Sequence, residues 1–301
     1  MKAPANKKMW IAILTAGMWL GLGPINAAAQ DTNPSQQQTQ QPSQSQPTDK
    51  DKPATNAGGI SFDNANGTPE AVKADPAEEQ AYQTFYSLKQ DNPDPVIQQG
   101  EQFLQKYPQS RYAGTVYDRL AYAYFAKNQF DKMEASTGKA IALNKDDYSS
   151  LVLEGWYIPH TDISKRPDHD TVLSRLETNL KHAIELMPTV QKPATLSDDE
   201  FLKAKTELGY RAHSGLGLVY FREGNAAGSV EELQKATQLV PDADPADFYV
   251  LGLGDVDLSK FIEAADAFDK CAKQQGTLQD RCKSLEDEAK KKAAAKPAAK
   301  P

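Results

Sequence analysis

The sequence predicts an all-α solenoid of about five antiparallel helix pairs with a C-terminal capping helix. Three observations lead there. A helical phrase returns in register: Leu120-Ala121, Tyr124-Phe125, Asn128, Phe130 and Ala140 in one copy; Leu216-Gly217, Tyr220-Phe221, Gly224-Asn225, Ala236 and Pro241 in a second; Leu251-Gly252, Phe261, Ala264, Phe268 and Cys271 in a third. Helix start and stop signals punctuate the same region. No stretch between those signals sustains the period-two alternation of a half-buried strand. From Gly217 to Gly252 is 35 residues, and a fixed period of that size marks units that bury their apolar faces only by stacking on their neighbours.

The first pair is expected near 77–90 and 95–107. Asp75-Pro76 opens it with an N-cap Asp before a first-turn Pro, and Tyr107-Pro108 closes it. The second pair falls at 111–127 and 130–143. In the less regular third, the first helix carries Leu151, Leu153, Trp156 and Tyr157. Its second helix carries Leu173, Leu176, Leu180, Ala183 and Leu186, and a loop from Pro159 to Pro167 is inserted between them. A further loop, Thr189 to Leu196, precedes the capping box Ser197-Asp198-Asp199-Glu200, so the next helix starts early. The fourth pair spans about 210–241. The fifth, opened by Asp244-Pro245, spans about 245–274, and the cap helix begins near Leu278.

The flanks read differently. Lys2, Lys7 and Lys8, the apolar stretch Met9–Gly23 and the A-x-A site Ala27–Ala29 have the pattern of a signal peptide over 1–29. The apolar stretch is shorter than the roughly 20 residues a spanning helix needs, and no Cys lies near the cleavage site to accept a lipid. The expected mature protein is therefore exported to the periplasm or secreted, soluble, not a lipoprotein, and without an integral membrane segment. Residues 30–75 are Gln-, Pro- and Ser-rich, too poor in apolar side chains to offset ordering entropy, and are expected to form a disordered linker of about 40 Å root-mean-square span. The solenoid is expected over 76–291, and 292–301 form a Lys/Ala/Pro-rich disordered tail. Signal removal shifts the net charge from −7 to −10, because the segment holds three lysines and no acidic residue. An acidic product lacks the cationic surface that nucleic-acid binding needs.

Over roughly 77–285 the chain resembles the tetratricopeptide-repeat (TPR) proteins. The stretch from Gln102-Phe103-Leu104 through Tyr107-Pro108 to Arg111-Tyr112-Ala113 is similar to repeats of the bacterial cell envelope, among them the Tol–Pal-associated division coordinator and the outer-membrane assembly lipoproteins. The chain lacks the lipidated Cys of the latter and the coiled coil of the former. The resemblance implies that the first helix of each pair lines a concave face for a protein or peptide partner. Projecting the register puts Asp118, Tyr122 and Phe125 on that face, then Arg211, Ser214, Leu218, Phe221 and Arg222, then Tyr249 and Leu253. Aromatics with arginines suit such a partner. Some of them also fit simple packing against neighbouring helices. The Lys and Asn with which some repeats clamp a terminal carboxylate are absent at Asp118, Tyr122, Ser214 and Leu218.

Chemistry finds little support. His160 and His169 gather with Asp162, Asp168 and Asp170 in the inserted loop, yet the spacing matches no metal signature, and a solvated loop accounts for it. There is no G-x-S-x-G, no H-E-x-x-H and no phosphate-cradling glycine loop. Cys271 and Cys282, eleven residues apart across a helix–loop–helix, suit a disulfide in an oxidising compartment, worth about 2–3 kcal/mol on the chain-entropy model; two buried thiols are the alternative. The expected function is a non-catalytic interaction scaffold of the cell envelope, without metal or cofactor. An accessory factor of outer-membrane or wall assembly or division is the second reading, and a metal or enzymatic role for the His160–Asp170 loop the third.

Overall fold

The computed structural model describes residues 75–193 and 196–295. The expected signal peptide, the linker up to Ala74 and the last six tail residues lie outside the described residues. Eleven α-helices fill the described part, with no strand among those residues. They are α1 (Pro76–Tyr86), α2 (Pro93–Lys106), α3 (Ala113–Ala126), α4 (Phe130–Leu143), α5 (Tyr148–Tyr157), α6 (His169–Leu186), α7 (Asp198–Glu223), α8 (Ala226–Leu239), α9 (Pro245–Asp257), α10 (Phe261–Ala272) and α11 (Gln279–Ala295).

The caps explain most boundaries. Asp75 and Asp244 each accept a hydrogen bond from the backbone N–H of the second residue of the helix they precede, Ala77 at 2.9 Å and Ala246 at 2.8 Å. Asp147 caps α5 and Asn225 caps α8 by accepting instead from the N–H of the third helical residue, Ser150 at 3.1 Å and Gly228 at 3.0 Å. Ser197 and Glu200 close both halves of the capping box. That box starts a 26-residue helix, so the early segment carrying Phe201 and Leu208 runs unbroken into the first helix of the fourth pair. Two boundaries depart from the sequence reading. The first helix stops at Tyr86, four residues before the expected end, and the Arg119 guanidinium takes the freed carbonyls of Tyr86 and Leu88. The last helix continues through Ala295, four residues into the expected tail, where the Lys/Ala run has high helix propensity.

Helices pair as expected: α1 with α2, α3 with α4, α5 with α6, α7 with α8, α9 with α10, and α11 against α10. First helices of successive pairs also touch, α3 on α5, α5 on α7 and α7 on α9, which is the tetratricopeptide arrangement of a one-dimensional stack. Within three pairs the connecting turn places one left-handed residue at the same register position: Asn128 (φ 57°), Gly224 (φ 78°) and Ser259 (φ 58°). The recurring small residue of the phrase is explained by close approach. A Cβ on Gly217 would meet Leu233 at 2.6 Å, and one on Gly252 would meet the Phe268 ring at 2.6 Å.

The core is three merging clusters. The first two pairs pack around Phe85, Phe103, Leu120, Tyr124 and Met133, joined by Leu153 from α5. The third pair packs around Leu151, Leu176 and Leu180, with Leu208, Leu216 and Val219 of α7. The last two pairs and the cap helix share Leu218, Leu233, Tyr249 and Phe268. The long α7 thus belongs to two clusters and ties the irregular third repeat to the regular fourth. Fully burying one side chain such as Phe268 contributes roughly 2–3 kcal/mol before entropy is subtracted.

Candidate functional site

The first helices bring the projected residues to one side of the stack, but neighbouring repeats cover several of them. Asp118, Leu218 and Tyr249 are each 1% exposed and Arg211 is 4% exposed. Ser214 and Leu253 are buried as well. Leu218 and Tyr249 are core residues. These side chains cannot touch a partner while the stack is closed. Tyr122, Phe125, Phe221 and Arg222 keep partial exposure.

The two buried polar positions act as joints between repeats. On α3, Asp118 accepts from the hydroxyls of Ser149 and Ser150, the latter at 2.8 Å, in the first turn of α5. Ser214, the matching position on α7, donates to Asp247 Oδ1 at 2.8 Å in the first turn of α9, and the Tyr210 hydroxyl donates to Asp247 Oδ2 at 2.8 Å. Tyr210 Oη in turn accepts from the Asp244 backbone N–H at 2.9 Å. The joint therefore recurs with acceptor and donor exchanged. Burial pushes the Asp247 carboxyl up to about 6; the nearby His160 ring opposes that rise and Asp244 adds to it.

A half-buried aromatic patch occupies the stretch between the second and third pairs. The Phe125 ring meets Trp156 edge-on at 6.0 Å and Tyr157 edge-on at 5.5 Å, and Phe130 stacks on Tyr157 at 4.5 Å. The Arg211 guanidinium lies 4.7 Å from the centre of the Trp156 ring and is steered by Glu207, which accepts from its Nε at 2.9 Å. Tyr122 sits on the Ser149 side of Asp118, its hydroxyl donating to Ser149 O at 3.3 Å; desolvation, reinforced by Asp118, raises its pKa. Sequence projection missed Trp156, Tyr157 and Phe130. The signal that could have found Trp156 was Gly155, which meets Leu180 as Gly217 meets Leu233 and Gly252 meets Phe268, and so puts Trp156 at the register position of Tyr122, Leu218 and Leu253.

The inserted loop is structured rather than merely solvated. Ile158 and Ile163 are buried. Arg222 donates to Pro159 O at 3.0 and 2.6 Å and to Thr161 O at 2.7 Å, and burial lowers its pKa to about 10. At the loop's other end, Arg166 makes a bidentate pair with Glu134 of α4, at 2.9 and 3.0 Å. Arg222 is thus engaged in holding the loop. The histidines go separate ways: His160 Nδ1 donates to Trp156 O at 2.6 Å, whereas His169 Nδ1 pairs with Asp170 at 2.9 Å. His182 and His213 each meet a single carboxylate, Asp146 and Glu232. Among the described residues no three His, Cys, Asp or Glu side chains converge as a metal-binding group, and no helix is long and apolar enough to cross a membrane. Cys271 and Cys282, both fully buried, stand with Cα atoms 5.9 Å apart, a separation that a disulfide spans.

The fold and its faces define a helical-repeat solenoid of tetratricopeptide type. No family model matches the chain, and no curated protein matches it. Among solved structures it is similar to a thermophilic TPR protein of Thermus thermophilus, at 15% identity and TM-score 0.39, over 72% of this chain and 99% of that one. It is also similar to a MamA RS-1 double mutant, at 15% identity and TM-score 0.40, over 71% of this chain and 97% of that one. A tetratricopeptide repeat protein from Parabacteroides merdae gives 11% identity and TM-score 0.27, over 71% of this chain and 99% of that one. At such scores these likenesses carry no argument of their own; the assignment rests on the helix pairing and the 35-residue register described above.

Proposed function

We propose that this chain is a non-catalytic scaffold that holds a protein partner on the first-helix face of its repeats, at the patch formed by Tyr122, Phe125, Trp156 and Tyr157. The observation that carries this reading is the partly exposed Trp156 ring, held in place from behind by the buried Arg211 guanidinium, among the partly exposed rings of Phe125 and Tyr157. Trp, Tyr and Arg dominate binding energy at protein interfaces when they sit preorganised in partly desolvated settings. Phe221 extends the same side of the stack; Asp118, Ser214, Leu218 and Tyr249 support it from within.

Export is the second half of the proposal and rests on the lysines, apolar stretch and A-x-A site of residues 1–29. The same compartment supports an oxidised Cys271–Cys282 pair, which would fasten the cap helix to the last repeat. In an envelope setting the Gln-rich segment 30–75 would give the scaffold reach, and the similarity of the Phe103–Ala113 stretch to envelope repeats favours an accessory role in outer-membrane or wall assembly.

The test is in-cell crosslinking of the tagged full chain, followed by mass spectrometry, beside Trp156→Ala and Phe125→Ala variants whose helicity is checked by circular dichroism. A single dominant partner whose recovery drops at least tenfold in both variants is the expected result. Recovery unchanged in both folded variants would remove the patch as the binding site.

A further inference from the structure

A second apolar surface lies away from the aromatic patch. Pro108, Ala113, Tyr117, Lys139, Ala142 and Leu143 line a shallow groove between the α2–α3 turn and the last turns of α4. Leu143 is 60% exposed there, and Lys139, stacked 4.9 Å from the centre of the Tyr117 ring, supplies the only charge among the lining residues.

We propose that the groove is the docking site of a segment of this same chain, Ile60-Ser61-Phe62, which precedes the first helix. Three observations select it. The described chain begins beside the groove: Ser110, on its lining, donates to Glu78 in the first turn of α1 at 2.5 Å, one turn from Asp75, the first described residue. Across residues 30–74 the only bulky apolar side chains are Ile60, Phe62 and Val72, which makes the Ile-Ser-Phe triplet a distinct apolar island in a polar stretch. Its spacing fits as well. In an extended backbone Ile60 and Phe62 share one face while Ser61 and Asp63 share the other, so both apolar side chains can enter the groove and the polar ones face away from it.

The tether has the right length. Phe62 stands thirteen positions before Asp75, a tether with a reach of up to about 45 Å fully extended and roughly 20 Å as a flexible coil. Linkers of that length give millimolar effective concentrations, so a weak intrinsic affinity keeps the groove filled. Residues upstream of Ile60 would then leave the solenoid from the second repeat rather than from the end of the stack.

The experiment places the photo-crosslinker p-benzoylphenylalanine at Asn64, which shares the face of Ile60 and Phe62 in an extended backbone, in the full chain, irradiates at low micromolar concentration and maps the products by mass spectrometry. Crosslinks within one chain to residues 108–117 and 139–143, reduced at least fivefold by Ile60→Ala with Phe62→Ala, are expected. Crosslinks spread over other surfaces, or undiminished by those two substitutions, overturn the proposal. Crosslinks that join two chains and grow with protein concentration also overturn it, and assign the groove to a second copy. The three core clusters are built without Ile60 and Phe62, so the substitutions leave them intact.

Discussion

Asp247 offers the sharpest quantitative prediction. Its carboxyl is fully buried at the joint between the fourth and fifth repeats, held by two neutral hydroxyls and by no ion pair among the described residues. Burial therefore favours its protonated form, and the pKa rises from 3.8 to about 6. The sign follows from linkage: the folded chain binds this proton more tightly than the unfolded chain, so the stabilisation it brings is full below about pH 4 and is lost as pH rises toward and through 6. A shift of that size corresponds to about 3 kcal/mol, most of it falling between pH 4 and 7. Asp247→Asn removes the titration while keeping both bonds, since the amide oxygen can accept from Tyr210 and the amide nitrogen can donate to Ser214. Urea unfolding of the wild type and the variant from pH 4 to pH 8 should show the variant gaining about 2–3 kcal/mol relative to the wild type across that range. Parallel profiles would refute the reasoning and mean that Asp247 is far better solvated than its burial indicates.

Two further outcomes are expected. Reducing the Cys271–Cys282 pair should destabilise the last repeat and cap by about 3 kcal/mol, from the closure of an eleven-residue loop, and should be read as faster hydrogen exchange over residues 261–289; alkylation of both thiols in the untreated native protein would show that there is no bond to reduce. Ser259→Gly should raise stability by about 0.5–1 kcal/mol, because a left-handed turn residue with a Cβ is strained, and a lowered melting temperature would show that local bonds of the Ser259 side chain outweigh that strain.

The solenoid was legible in the sequence because its main determinants are local and periodic. The Gly217–Gly252 spacing marks where Leu233 and Phe268 intrude, and the Asp-Pro pairs mark caps that form as written. The face was less legible. Asp118 and Ser214 are polar residues on the side of the helix that lines the groove, and nothing nearby in sequence reveals that the next repeat will seal them. Their partners, Ser149, Ser150 and Asp247, lie more than thirty residues on and differ in chemistry from copy to copy. Arg222 misled for a similar reason: the loop carbonyls it holds are about sixty residues upstream. Backbone acceptors leave no trace in residue identity. Trp156 escaped because the insertion that follows it breaks the period from which position is inferred.

The exchanged polarity of the repeat joints bears on how such a chain can be recombined. One seam offers a carboxylate to hydroxyls, and the other offers hydroxyls to a carboxylate. If the third helix were spliced directly ahead of the ninth, Asp118 would face Asp247 across a sealed seam, two carboxylates with no cation between them. The reverse splice would set Ser214 against Ser149 and Ser150, with no acid on the preceding helix to receive their protons. Each seam is keyed to its own neighbour, so units that look interchangeable in outline can be read in only one order.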